Sequence, residues 1–104
     1  TSTATSTAGQ VVNGVRVVEI SAGNFFYSAS EIRVKAGEPT KIVLKVKQGF
    51  HDLVSDTLSV RTGQVGAGEF TSASFTPATI GTYEFYCSVG SHKAMGMVGK
   101  IIVE

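Results

Sequence analysis

The sequence predicts an all-β domain, and three observations carry that prediction. Glycine is abundant at twelve in 104 residues and tryptophan is absent. β-Branched residues recur along the chain, which suits pleated, half-buried strands joined by many turns. No helical periodicity extends beyond a turn or two. The length is that of one compact domain, able to bury roughly two-thirds of the surface its unfolded form exposes, and it leaves no room for a second.

Taken in order, residues 1–10, "TSTATSTAGQ", are small, uncharged and repetitive. They cannot bury enough apolar surface to offset the entropy of ordering them, so a flexible tail is expected over 1–10 and a single domain over 11–104. Such a Ser/Thr/Ala tract also suits a tether to an export signal or membrane anchor; a frayed terminus is the simpler reading. In "EIRVKAGEPT", Ile32 and Val34 alternate with Arg33 and Lys35, and Gly37 and Pro39 close the strand with a turn. In "TKIVLKVK", Ile42, Leu44 and Val46 alternate with Lys41, Lys45 and Lys47, the period-2 pattern of a strand with one buried face. Residues 55–70 have no clean period and two glycine-rich turns, so their pairing stays open. A further strand ends near Phe75, Pro77 and Gly81 interrupt, and "TYEFYC" then places Tyr83, Phe85 and Cys87 on one face. In "MVGKIIVE", Met97, Ile101 and Val103 share one parity, opposite to Lys100 and Glu104.

Charge excludes some functions. Nine Lys+Arg against eight Asp+Glu give a net charge of +1, too little to attract a polyanion or steer one, so nucleic acid is not an expected partner. No stretch reaches the roughly 20 apolar residues of a membrane span, and no basic-then-apolar export signal opens the chain. With one cysteine, no internal disulfide can staple the domain. A lone thiol in an oxidising compartment needs protection, by burial or by a metal bond.

The stretch "EFYCSVGSHKAMGMVGK", residues 84–100, holds the only cysteine, one of two histidines and both methionines. If the strand ending at Cys87 and the strand starting at Met97 are antiparallel neighbours, residues 88–96 form a loop at one end of a sandwich or barrel and both sulfurs lie there. His51, in "QGFHDLV", reaches the same end if its strand points that way. Thiolate, two imidazoles and a thioether form a soft ligand set that favours copper. Zinc would accept the Cys and the two His but has no use for the Met.

These residues bring the chain into resemblance with a known family. "FYCSVGSHKAMGMVGKIIV", with Cys-x4-His and His-x4-Met, and the upstream "HDLV" resemble the small blue copper proteins, or cupredoxins, and are most similar to their plastocyanin and auracyanin-like members. The likeness covers most of residues 15–104. It implies a Greek-key β-sandwich or barrel of about seven or eight strands and one type 1 copper ion cycling between Cu(I) and Cu(II). His51, Cys87 and His92 would be the equatorial ligands and Met97 the axial one. Met95 competes for the axial role, but Met97 has the core-facing parity and precedes "VGKIIV". In the family the polar residue after the first His ties to the ligand loop, which implies a bond from Asp52 to Ser88; Asn is more usual there.

The resemblance further implies a small electron carrier and not an enzyme. Its port would be the His92 edge, ringed by Val89, Ala94 and Met95, and its partner a cytochrome, an oxidase or a membrane electron-transfer complex. A monomer in a periplasmic or other extracytoplasmic setting is expected. Three rivals remain. Copper delivery or storage would use the same ligands. A Cys87 nucleophile with His92 or His51 as base and Asp52 as orienter shows no oxyanion hole in the sequence. A metal-free adhesion sandwich leaves the order of Cys, His and Met without a reason.

Overall fold

A computed structural model describes residues 6–104. Thirteen strand segments build it: β1 (Ser6–Thr7), β2 (Gln10–Val12), β3 (Val15–Gly23), β4 (Phe26–Tyr27), β5 (Glu31–Val34), β6 (Thr40–Val46), β7 (Phe50–His51), β8 (Val54–Ser55), β9 (Val60–Arg61), β10 (Val65–Gly66), β11 (Phe70–Phe75), β12 (Gly81–Tyr86) and β13 (Val98–Val103). Seven of these have three residues or more, so the expected seven or eight strands correspond to the long elements; the rest are two-residue bridges.

Two main sheets face each other. One has the order β1-β5-β13-β12-β8-β9; the other runs β11-β6-β3-β2, with β4 added to β3. The chain passes repeatedly from one sheet to the other, as in a Greek-key sandwich. That weaving makes β3 and β6 parallel neighbours, and likewise β5 and β13. The two strands separated only by the Gly37–Pro39 turn therefore lie in opposite sheets.

The alternation legible in the sequence is the alternation of burial. Ile42, Leu44 and Val46 of β6, Ile32 and Val34 of β5, and Ile101 and Val103 of β13 all face the core, where they meet Val18, Ile20 and Ala22 of β3. β3 is the longest strand and forms a hairpin with β2 around Asn13 and Gly14, both at positive φ (52° and 81°), as a tight two-residue turn between twisted strands demands. The aperiodic segment 55–70 holds β9 and β10, each too short to show a period; β9 pairs with β8, and β10 with β7.

The tail expected over 1–10 lies outside the described residues at 1–5. Beyond them, Ser6–Thr7 pairs in parallel with β5, Gln10 opens β2, and the Arg16 guanidinium donates to the Ala8 carbonyl. Sheet edges recruit chain through backbone hydrogen bonds, which ask nothing of side-chain hydrophobicity.

β12 and β13 form the antiparallel pair that carries the loop of interest, with Phe85 opposite Gly99. A Cβ at position 99 would lie 2.3 Å from Phe85 Cζ and 2.9 Å from the Ser30 carbonyl oxygen, so the buried ring occupies the space of the missing side chain. Gly99→Ala is expected to destabilise the copper-free domain by about 1–3 kcal/mol through overpacking, read as a lowered urea midpoint with unchanged slope; an unaltered midpoint would show that the ring can move freely.

Candidate metal centre

His51 is placed by the link between β6 and β7. Gly49 turns the chain at φ 80°, and a Cβ there would lie 2.9 Å from His51 Nε2, so the position requires glycine for both conformation and space. His51 Nε2 donates to the Gln48 carbonyl at 2.7 Å. That bond puts the ring proton on Nε2 and leaves the Nδ1 lone pair facing inward, as a metal-binding imidazole needs.

Cys87 follows β12 directly, and its N–H donates to the Met97 carbonyl at 3.1 Å, extending the β12–β13 ladder by one step. Residues 88–96 then coil through short-range bonds, His92 N–H to Val89 O and Met97 N–H to His92 O. This coil folds the His92 ring back over the sulfur. His51 Nδ1 and His92 Nδ1 are 3.2 Å apart, and they lie 3.9 Å and 3.5 Å from Cys87 Sγ. An ion at the centre of a trigonal N2S set, with bonds of about 2.0 Å to nitrogen and 2.3 Å to sulfur, would hold these atoms about 3.5–3.7 Å apart. The donor set therefore fits a metal ion, and these three residues form the metal-ligating cluster among the described residues.

Burial shapes the electrostatics. His51, Cys87 and Met97 have no exposed surface. Burial pushes the Cys87 thiol above its ordinary range, while the backbone N–H groups of Asp52 and Val89 pull the other way. Burial also lowers the His51 pKa, opposed by its bond to Gln48. A dry pocket thus disfavours a free thiolate and an imidazolium, and a bound cation would reverse the first of these penalties.

The expected Asp52–Ser88 bond is present and double. Asp52 Oδ1 accepts the Ser88 N–H at 2.7 Å, and Oδ2 accepts the Ser88 hydroxyl. Asp52 is buried, so it is a cross-link between two ligand segments and not a solvated turn residue. Its own carbonyl accepts the buried Tyr27 hydroxyl, and Tyr27 packs edge-on against Phe85 at 5.0 Å. Burial raises the phenol's pKa, which keeps it a donor.

Met97 and Met95 have opposite surroundings. Met97 is buried and tied through its backbone to both Cys87 and His92. Met95 is 54% exposed, and its sulfur lies 3.8 Å from the Ser91 hydroxyl. Three neighbours escaped the sequence reading. Gln48 acts through its carbonyl, which has no sequence signal. Tyr27 lies in β4 and Phe25 in the turn that leads into it, and the approach of this hairpin to the loop is purely tertiary, although "NFFY" holds the chain's longest unbroken aromatic run.

The sequence profile of the copper-binding proteins of the plastocyanin/azurin family matches residues 15–104. Among solved structures, auracyanin A, a "blue" copper protein from Chloroflexus aurantiacus, superposes with a TM-score of 0.77 at 18% identity, over 88% of this chain and all of that one. Auracyanin from Roseiflexus castenholzii gives 0.76 at 22% identity, over 85% and 96%. The metal-binding domain of the Cu(I)-exporting P-type ATPase CopA of Streptococcus pneumoniae gives 0.81 at 19% identity, over 99% of each chain. The fold is thus that of the cupredoxins, and the metal that the Cys–His–His cluster takes is copper.

Asp52→Ala would leave the Ser88 N–H and hydroxyl without partners at a half-buried site, at a cost of about 1–3 kcal/mol. Asp52→Asn keeps one acceptor and gains a donor and should cost less. Chemical denaturation of both copper-free variants checks this; equal costs would mean that the cross-link is not what matters at position 52.

Proposed function

The chain belongs to the plastocyanin/azurin family of copper-binding proteins, and from that premise we propose that it carries single electrons between redox partners. His51, Cys87 and His92 are the equatorial copper ligands in this reading and Met97 is the axial one. The observation that carries it is the convergence of two imidazole nitrogens and one thiol within 3.9 Å, beside a buried Met97. When bound, copper supplies a one-electron couple between its cuprous and cupric states.

The chain's own part is to keep the donors still. His51 is held by Gln48, Cys87 by the Met97 carbonyl, and the two segments by Asp52 and Ser88. Ligands fixed in one geometry for both oxidation states leave little to rearrange as an electron passes, and the transfer is fast. His51 and Cys87 are inaccessible to solvent, whereas His92 is half-buried beside the exposed Ala94 and Met95. The electron therefore enters and leaves at His92, and the partner is a cytochrome, an oxidase or a membrane complex docking weakly there.

The protein acts as a monomer and is not an enzyme; Cys87 offers no surface to a substrate. An extracytoplasmic, periplasmic setting suits a lone thiol protected by metal, and an N-terminal tether remains part of the proposal. No helix among the described residues is long and apolar enough to cross a membrane. Copper delivery or storage is the second reading, favoured by the likeness in fold to a Cu(I) exporter's metal-binding domain.

Cupric ion added to the copper-free protein is expected to give an intense blue absorption, bleached by a mild reductant with the copper retained. Loss of metal on reduction would favour delivery, and no thiolate-to-copper band would reject the carrier. Met97→Gln should lower the reduction potential and alter the spectrum, while Met95→Gln leaves both unchanged. The reverse pattern would assign the axial role to Met95.

A further inference from the structure

The tip between β3 and β4 reaches the ligand cluster from the sheet opposite the one that carries the Cys87–His92 loop. Gly23 pairs with Phe26 and Ala22 with Tyr27, leaving Asn24 and Phe25 to turn the chain. Asn24 Oδ1 lies 2.2 Å from where a Cβ on Gly49 would be, so glycine at 49 leaves the room in which the tip settles beside His51. The Phe25 ring then lies 4.7 Å from the His92 ring, tilted by 59°, and 6.5 Å from the His51 ring, edge-on at 87°.

His92 has less hydrogen-bond support than the other imidazole. The second nitrogen of His51 is fixed by the Gln48 carbonyl. Among the described residues, the ring bonds of His92 all run from Nδ1, to His51 and Cys87, and Nε2 has no protein partner. Its orientation must come from packing. Phe25 supplies that packing from outside the cluster, while remaining 36% exposed and contributing correspondingly little to the core. A ring contact of this kind adds to the gain from buried area and biases a side chain between rotamers.

We propose that Phe25 is a positioning residue of the copper site, one that braces the His92 imidazole and keeps water off the side formed by the two histidines. This rests on the carrier reading and adds to it a residue outside the ligand motif. The physical consequence follows from charge. Water near the ion stabilises the more positive cupric state, and an apolar ring that excludes it favours the cuprous state, raising the reduction potential.

Phe25→Leu and Phe25→Tyr test the proposal with two readouts. In the copper-free protein, proton NMR of the His92 ring reads the contact directly: Phe25→Leu should remove the ring-current shift and broaden the signals, and Phe25→Tyr should restore them. In the copper-loaded protein, Phe25→Leu should lower the potential, speed water-proton relaxation by the cupric form and weaken copper binding on the order of tenfold, with Phe25→Tyr close to wild type. Unchanged His92 signals, or an unchanged potential and relaxation rate with a lower denaturation midpoint, would overturn it and leave Phe25 as hairpin packing. If wild type forms no blue centre, the carrier reading fails, and the proposal fails with it even where the NMR contact is present.

Discussion

The structure depends on holding three donor atoms within 4 Å of one another when two of them, His51 and Cys87, come from segments 36 residues apart. The bonds from Ser88 to the carboxylate of the buried Asp52 supply that constraint, because they fasten the residue after the first imidazole to the residue after the thiol. A carboxylate in a dry site needs donors, and the Ser88 N–H and hydroxyl are both close enough to serve. The same residue presents its carbonyl to Tyr27, which leans on Phe85. One buried acid thereby links the metal end of the sandwich to its hydrophobic core.

The rest of the fold gives that link a rigid base. β12 and β13 continue their ladder through the Cys87–Met97 bond, so thiol and thioether start from adjoining strands and the coil between them returns His92 to the same point. β6 delivers His51 from the other sheet, with its Ile42, Leu44 and Val46 anchored in the core. A one-residue slip of either strand would turn its donor outward, and the buried faces make such slips costly.

Much of this was legible in the chain because its signals are local. Period-2 alternation marked β5, β6, β12 and β13 and assigned their inward faces correctly. The spacing from Cys87 to His92 to Met97 gave the ligand loop, and the parity of Met97 matched its burial. Other features had no such signal. β9 and β10 are two residues long, shorter than any period. β1 and β2 lie partly in a Ser/Thr/Ala tract because sheet edges pair through backbone alone. The strands on either side of the Gly37–Pro39 turn are consecutive in sequence yet belong to opposite sheets, and nothing in a turn's composition states which sheet follows it.

By itself, the sequence determined an all-β domain, the inward faces of its long strands and a soft donor set suited to copper, since residue type and spacing express those directly. Only the tertiary structure decided that His51 meets Cys87 and His92, that Asp52 is a buried cross-link, that the Gln48 carbonyl orients His51 and that Phe25 covers His92. The Gln48–His51 bond, which spans three residues, has no side-chain signal because it is made by a backbone carbonyl. All the others join segments distant along the chain. Such a contact depends on how the sheets stack and where the chain crosses between them, and the free energy that selects that arrangement is spread over the whole core.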